Sequence, residues 1–106
     1  MSYIYTFIRE DISNEQKIVQ IGHACHEAGK RTSHDKEISS LILLSARDQE
    51  DLESIAMKLD GKGIEFYMFY EPDNGMGYSA ICTQPISDGN LRSFFRKWDL
   101  FRFATN

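Results

Sequence analysis

The stretch that decides the fold reads Tyr3-Ile4-Tyr5-Thr6-Phe7-Ile8-Arg9 and is followed, after three residues, by Ser13-Asn14-Glu15-Gln16. The first segment is rich in β-branched and aromatic residues and is too short for a typical helix, which predicts a strand. Ser13 and Gln16 have the spacing of a capping box, in which the serine oxygen accepts a hydrogen bond from an early helical N–H. We therefore expect a helix that begins there and runs to about Lys30.

The predicted first helix carries an apolar stripe that is suited to packing on a sheet. The stripe consists of residues spaced by three, four and three, namely Ile18, Ile21, Cys25 and Ala28. A polar connection from Ser33 to Glu37 follows, and then the near-continuous apolar run from Ile38 to Ala46. Such a run is typical of a central strand that is covered on both faces, so this strand should lie deep in the sheet.

The second half of the chain predicts a helix and a hairpin. Asp48 to Asp60 has apolar residues at helical spacing and acidic residues in its first turn, and Gly61 stands where a left-handed C-cap would follow. Strand-like runs cover Ile64 to Glu71 and Tyr78 to Gln84. Between them lies a turn-rich stretch from Pro72 to Gly77, whose glycines can take positive φ, and this pattern predicts a hairpin.

A last helix is predicted over Asn90 to Leu100, where three aromatic residues can dock on the core: Phe94, Phe95 and Trp98. The resulting order is βαβαββα. Two strand–helix–strand units favour parallel strands, and the hairpin adds one antiparallel strand. The prediction is a single α/β domain over residues 1–106, built in three layers around a mixed sheet of four strands.

Composition limits the classes of function. A chain of 106 residues corresponds to one domain, and its net charge of −4 has the wrong sign for binding nucleic acid through bulk electrostatics. Contact with nucleic acid would need a local basic patch, for which the candidates are Lys30, Arg31, Arg92, Arg96 and Lys97. An ordinary solubilising face is the other interpretation of these residues.

The sequence also predicts a compartment. Its apolar runs are far shorter than the roughly 20 residues of a membrane-spanning helix, and its first residues lack the pattern of a secretory signal. We therefore expect a cytoplasmic protein without a membrane segment. Cys25 and Cys82 are then expected to be buried thiols rather than a disulfide.

Polar residues with catalytic potential lie on the first helix. Spacings of three, three and four place four of them on one ridge: Lys17, Gln20, His23 and Glu27. A histidine there can act as a general base, a lysine can stabilise developing negative charge, and a glutamine can orient water or a carbonyl. A solvated helix face is the alternative interpretation.

Carboxylates at the end of the third strand can face this ridge. In open α/β sheets the ligand crevice lies at the carboxyl ends of parallel strands, which places Glu71 or Asp73 opposite His23. Asp73 is also a typical turn residue, so Glu71 is the better candidate.

A metal or nucleotide site is not predicted. Four potential zinc ligands occur, His23, Cys25, His26 and His34. His23 and Cys25 point to different faces of the helix, whereas a structural zinc site needs four converging ligands. Walker, dinucleotide and serine-hydrolase motifs are absent from the sequence.

One stretch reads Lys17-Ile18-Val19-Gln20-Ile21-Gly22-His23-Ala24 and follows the predicted first strand and Glu10-Asp11-Ile12. It resembles the first motif of the type 2 peptidyl-tRNA hydrolase family, Lys-x-x-x-Gln-x-x-His-Ala after a strand that ends in Arg-x-Asp-Leu, with one residue fewer between Lys17 and Gln20 than in that motif. The likeness continues to Glu71-Pro72-Asp73-Asn74 and covers nearly the whole chain. The final Trp98-Asp99-Leu100-Phe101-Arg102 is most similar to the divergent branch called peptidyl-tRNA hydrolase domain-containing proteins.

The resemblance implies an α/β/α sandwich whose sheet has the strand order 2-1-4-3. It implies hydrolysis of the ester that joins a peptide to the 3′ ribose of a tRNA, so peptidyl-tRNA is the implied substrate. No metal, organic cofactor, DNA or membrane is implied, and a homodimer is possible because dimers are common in the family.

The family's site residues can be placed on this sequence. Its lysine, glutamine and histidine fall on Lys17, Gln20 and His23, and Glu71 stands where the family has an aspartate. In the implied mechanism His23, oriented by Glu71, activates water, while Lys17 stabilises the oxyanion or a terminal phosphate. Ser79 falls near a family threonine and is a further candidate.

The alternative is a non-catalytic member of the same fold that binds RNA or a protein. Its surface would be the last helix or the aromatic third strand, with Tyr67, Phe69 and Tyr70. The alternating aromatics from Phe66 to Tyr70 are more often core residues with a half-exposed face than a base-stacking platform, and burial in a homodimer is a further interpretation.

Overall fold

The computed structural model describes residues 1–31 and 37–105. Its strands are β1 (Tyr3–Arg9), β2 (Ser40–Ala46), β3 (Phe66–Glu71) and β4 (Gly77–Thr83). Its α-helices are α1 (Asn14–Lys30), α2 (Gln49–Gly61) and α3 (Gly89–Phe94), and short 3-10 turns cover Asp73–Gly75 and Phe95–Lys97. No helix in these two described ranges is long and apolar enough to cross a membrane.

The strands form one mixed sheet in the order β2-β1-β4-β3. β1 is parallel to β2 and antiparallel to β4, and β4 is antiparallel to β3. α1 covers one face of the sheet, and α2 and α3 cover the other. The predicted three-layer α/β/α sandwich with its strand order 2-1-4-3 is confirmed.

β1 sends alternate side chains into two cores, because successive residues of a strand point to opposite faces. Tyr5 and Phe7 belong to the larger core under α2 and α3. The core under α1 is built largely from small side chains, among them Ala24, Ala28 and Ala80. Small side chains allow a helix to lie close to the sheet. Polar side chains on α1 can therefore reach hydrogen-bond partners on the strands.

The face that α1 buries differs from the predicted apolar stripe. Its cap is as expected, since Ser13 Oγ accepts a hydrogen bond from the backbone N–H of Gln16 at 3.2 Å. Ile18, however, is 60% exposed, whereas Lys17 and Gln20 are buried together with Ala24 and Ala28. The helix is rotated by about one residue, or 100°. The prediction that Ile18 faces the sheet is therefore wrong, and a solvated face is excluded for Lys17 and Gln20.

β2 is an edge strand, as the strand order 2-1-4-3 implies, and the central position that its apolar run predicted is wrong. Its first half is open, with Leu41 51% exposed, and only its last residues are buried. The segment after α3 covers this edge: Ser45 N donates to Asp99 O at 2.9 Å, and Phe101 N donates to Leu43 O at 3.0 Å. An apolar run predicts that a strand is buried but not what covers it. Here the segment after α3, and not a fifth strand, covers part of β2.

The ends of α2 differ slightly from the prediction. Asp48 caps the helix by accepting a hydrogen bond from Asp51 N at 2.9 Å. Gly61 is still helical, and the left-handed residue is Gly63, with φ of 70°. The last turn continues because Lys62 N bonds to Lys58 O and Leu59 O.

The hairpin between β3 and β4 is confirmed. Its turn contains three residues with positive φ: Asn74, Gly75 and Gly77. Gly77 is required for a second reason, since a Cβ there would overlap the side chain of Gln49 on α2.

The last helix is shorter than predicted, because α3 ends at Phe94 and Trp98 is already extended. The 3-10 turn tightens the chain, so that Phe95 stacks on Tyr5 with ring centroids 3.8 Å apart while Trp98 meets Phe7 edge-on at 5.0 Å. The predicted docking of the three aromatics is confirmed, with Phe95 buried and Phe94 and Trp98 partly buried.

We expect Phe95→Ala to lower the free energy of unfolding by about 3–5 kcal/mol, because Phe95 is 2% exposed and stacks on Tyr5. Met57→Ala, at a helical position that is 75% exposed, should change it by less than about 0.5 kcal/mol. Urea unfolding followed by circular dichroism measures both. Equal losses in the two variants would show that the aromatic cluster does not anchor α3.

Candidate active site

Polar side chains converge at one edge of the sheet, where β1 and β3 end and β4 begins. The contributors are Arg9 from β1, Glu71 from β3, Ser79 from β4, and Lys17 and Gln20 from α1. The first turns of α1 follow β1 directly, so the chain delivers these groups to the carboxyl ends of strands, where α/β sheets commonly bind ligands.

Gln20 is the centre of this group and is fully buried, with no exposed surface. Its Oε1 accepts a hydrogen bond from Ser79 Oγ at 2.6 Å. Its Nε2 donates to Glu71 Oε1 and to Gln16 Oε1, both at 3.2 Å. Both N–H groups of the amide are thus used, which fixes the amide orientation and joins α1 to β3 and β4.

Lys17 is also buried, at 1% exposure, and its Nζ donates to Asn14 Oδ1 at 3.3 Å. Asn14 in turn bonds to the backbone of Ala104, accepting from its N–H and donating to its carbonyl, both at 3.2 Å. An ammonium group has three N–H donors. Asn14 takes one of them, so the described residues leave Lys17 with unused donor capacity.

Arg9 and Asp11 form an ion pair beside Lys17. Arg9 Nε and Nη2 donate to the two Asp11 carboxylate oxygens at 2.8 Å each, and Arg9 Nη1 donates to the carbonyls of Met76 and Tyr78 at 2.7 and 3.0 Å. The hydrogen bond from Arg9, with a smaller contribution from the Lys17 charge, lowers the pKa of Asp11. The carboxylate therefore stays ionised, and Arg9 ties the end of β1 to the hairpin turn.

His23 lies one helical turn beyond Gln20 and is exposed. Its ring stacks on Phe69 of β3, with centroids 4.7 Å apart and planes within 1°. The structure gives Glu71 a different hydrogen-bond partner from the one expected, because Glu71 binds Gln20. His23 is thus oriented by an aromatic face, and Glu71 orients Gln20.

The predicted basic residues do not surround this group. Lys30 and Arg31 lie at the far end of α1, where both pair with Glu27, and Arg31 also covers the Tyr67 ring at 4.1 Å. These pairs lower the pKa of Glu27.

The other predicted basic residues are Arg92 on α3 and Arg96 and Lys97 on the 3-10 turn. They lie on the face of the sheet opposite α1. Lys97 lies 3.9 Å from the centroid of the Phe94 ring, and Lys62 of α2 lies 5.4 Å from it. Desolvation and the nearby charges of Lys58 and Lys62 lower the pKa of Lys97. Lys58, Lys62, Lys97 and Phe94 form what we call the basic–aromatic cluster.

The described residues contain no group of three or more His, Cys, Asp or Glu side chains that could hold a metal ion. His34, one of the four potential zinc ligands, lies outside the described ranges, as does most of the predicted connection from Ser33 to Glu37.

The two cysteines meet beneath α1. Cys25 is half-buried and Cys82 buried, both thiols are free, and both line one small cavity of about 150 Å³. The neighbouring Cys82 thiol lowers the pKa of Cys25 to about 6, against the opposing effect of burial, and Thr6 Oγ1, 3.4 Å from Cys25 Sγ, acts in the same direction. The Cys25 thiol, together with burial, raises the pKa of Cys82, whose Sγ donates to Thr83 O at 3.6 Å. The predicted burial is confirmed for Cys82 and is partial for Cys25.

Some members of this site were not expected from the sequence. Asn14 and Gln16 belong to it, and neither carried a signal beyond helix capping. Arg9 and Asp11 did carry a signal in the sequence, because opposite charges two residues apart at the end of a strand are suited to pairing. The bond between Ser79 and Gln20 spans 59 residues of sequence and could be found only in the fold.

Comparison with known proteins returns no match, either among models of protein families or among curated sequences.

Gln20→Leu should lower the free energy of unfolding by about 1–3 kcal/mol, because Ser79 and Glu71 would lose a buried partner. Ser79→Ala removes one of those two groups, so the double variant should lose less than the sum of the single losses, by about 0.5–3 kcal/mol. Urea unfolding of the four proteins measures this coupling. Gln20→Leu combined with Met57→Ala is the control, for which the losses should add.

Iodoacetamide should modify Cys25 with a rate that rises through a midpoint near pH 6, since that is about the pKa of its thiol and the thiolate is the nucleophile. Cys82→Ala removes the neighbouring thiol that lowers this pKa and should move the midpoint upward. Mass spectrometry of peptides after short exposures measures both rates. Preferential labelling of Cys82 at pH 7 would contradict the assignment.

Proposed function

We propose that this protein is a hydrolase that cleaves the ester between a peptide and the 3′ ribose of a tRNA, using water and no metal. The observation that carries the proposal is the buried Gln20 amide between Ser79 and Glu71, one turn from an exposed histidine and one turn from a buried lysine. Polar residues at core-facing positions of a helix break the local folding rule, and such positions are expected at functional sites.

His23 is the group in this arrangement that can take a proton from water, because it is exposed and imidazole is the commonest general base. Stacking on Phe69 fixes the plane of the His23 ring. This contact uses a face of the ring, so it does not cover the two nitrogens at the ring edge. Water attacks the ester carbonyl as His23 removes a proton. The protonated His23 then gives that proton to the departing ribose oxygen, which yields a free 3′ hydroxyl and a peptide carboxylic acid that loses its own proton to water.

Lys17 acts through its charge more than through contact, because only 1% of it is exposed. The field of a buried cation is screened less than that of a surface cation, so it can stabilise an oxyanion or a terminal phosphate at this edge. Gln20 and Glu71 are positioning residues in this scheme, since their hydrogen bonds are with each other and with Gln16 and Ser79.

The resemblance of Lys17 to Ala24 to the type 2 peptidyl-tRNA hydrolase motif supports the substrate class. The strand order 2-1-4-3, which that resemblance also implied, is present. We place this activity in the cytoplasm, where translation supplies peptidyl-tRNA.

A second candidate function is RNA binding without catalysis, which the basic–aromatic cluster favours. Lys62 and Lys97 lie over the Phe94 ring and Lys58 adds a nearby positive charge, so the cluster combines charge for phosphates with an aromatic ring. This cluster lies on the sheet face opposite His23, so binding there and hydrolysis at His23 can be separated by mutation.

We expect the purified protein to release N-acetyl-aminoacyl groups from charged tRNA with a chelator present, and His23→Ala to be slower by about 10²–10⁴-fold through loss of the general base. His26→Ala is the matched control, because His26 is an exposed histidine on the same helix. Release of labelled amino acid measures the rates.

Two outcomes would overturn the proposal. Equal rates for wild type and His23→Ala would remove His23 from the mechanism. No release by the wild type, under conditions where a known hydrolase works, would exclude the enzyme. In that case tRNA binding that Lys58→Glu/Lys62→Glu abolishes would establish the second candidate.

A further inference from the structure

A cavity of about 450 Å³ opens on the sheet face opposite Gln20, between β1, β2 and the segment that follows α3. Its inner wall is apolar and well packed, with Tyr5, Leu44 and Phe95 all at most 5% exposed. Trp98 and Leu100 continue this wall toward the surface. Pockets for small molecules commonly measure about 300–1,000 Å³ and have mostly apolar walls with a few polar groups, so its size and walls suit such a ligand.

The charged residues that line this cavity are two arginines, Arg92 and Arg96. Arg92 is half-buried, and its guanidinium lies 3.8 Å from the centroid of the Tyr3 ring. Its Nε is buried and has no hydrogen-bond partner among the described residues. A buried N–H without a partner is costly, so the fold leaves this group in need of an acceptor.

The charge of the cavity wall is uncompensated. Its lining residues within the described ranges include both arginines and no carboxylate. A guanidinium presents parallel N–H groups that match the two oxygens of a carboxylate or phosphate. The side chains of Tyr5, Phe95 and Trp98 line the same cavity, and such an aromatic wall favours a flat apolar body beside that anion.

We propose that this cavity binds a small molecule in which a carboxylate or phosphate group is attached to a planar apolar body. The anion pairs with Arg92 and Arg96, and the planar body lies against Phe95 and Trp98. This site is independent of the proposed hydrolase reaction, because it is formed by other residues on the other side of the sheet.

The test uses a fluorescent aromatic sulfonate, 8-anilino-1-naphthalenesulfonate, and its uncharged analogue N-phenyl-1-naphthylamine. The wild type should bind the sulfonate, and Arg92→Gln and Arg96→Gln should each raise its Kd by about tenfold or more while changing that of the uncharged analogue by less than about threefold. Arg47→Gln is the matched control, since the Arg47 side chain is 83% exposed and lies outside the cavity. Arg92→Lys keeps the charge but loses the fork, and should fall between wild type and Arg92→Gln.

Amide chemical shifts locate the bound sulfonate. Shifts at Gly89 and Leu100 and at the Trp98 indole support the proposal, and the same spectra show that each variant is folded. Competition with 1-naphthoate and with 1-naphthyl phosphate shows which anion the arginines prefer. Shifts centred on α1 and β3, or an unchanged sulfonate Kd in folded Arg92→Gln, would overturn it.

Discussion

The amide of Gln20 determines how α1 sits on the sheet. It donates to Glu71 at the end of β3 and accepts from Ser79 near the start of β4, so one side chain sets the helix against two strands. A buried amide with an unmade hydrogen bond is costly, and rotation or sliding of α1 would break these bonds. This constraint explains why Ile18 is left exposed, why Lys17 is buried, and why His23 reaches Phe69.

The two faces of the sheet are stabilised differently. Under α2 and α3 the core consists of large aromatic and aliphatic side chains, and its stability comes mainly from buried apolar area. Under α1 the buried side chains other than Ile8 are small or polar, and hydrogen bonds contribute a larger share of the stability. Directional hydrogen bonds therefore orient the side chains mainly at the α1 face, where the candidate catalytic groups lie.

The segment after α3 connects these two faces. It pairs with the open edge of β2 through Asp99 and Phe101, which protects an edge strand that would otherwise offer unpaired backbone groups. It then reaches Asn14, the residue that holds Lys17. The same segment borders the arginine-lined cavity through Leu100. The segment after α3 has no regular secondary structure, yet it covers the edge of β2, holds Asn14 against Lys17 and lines part of the cavity.

Local patterns in the sequence determined the elements, because each depends on residues close together in the chain. Ser13 as a cap, the β-branched and aromatic residues of β1, the apolar spacing of Asp48 to Asp60 and the turn from Pro72 to Gly77 were sufficient to predict βαβαββα. Burial of Lys17 and Gln20 was decided only by the tertiary structure, since Gln20 bonds to β3 and β4, and Lys17 bonds to Asn14, which is held in turn by the backbone of Ala104. Contacts between segments far apart in the chain also determine how the edge of β2 is covered and how the cavity beside Arg92 forms. Hydrogen bonds and packing between distant segments outweigh the apolar period of a single helix or strand, and such contacts leave no local pattern to read.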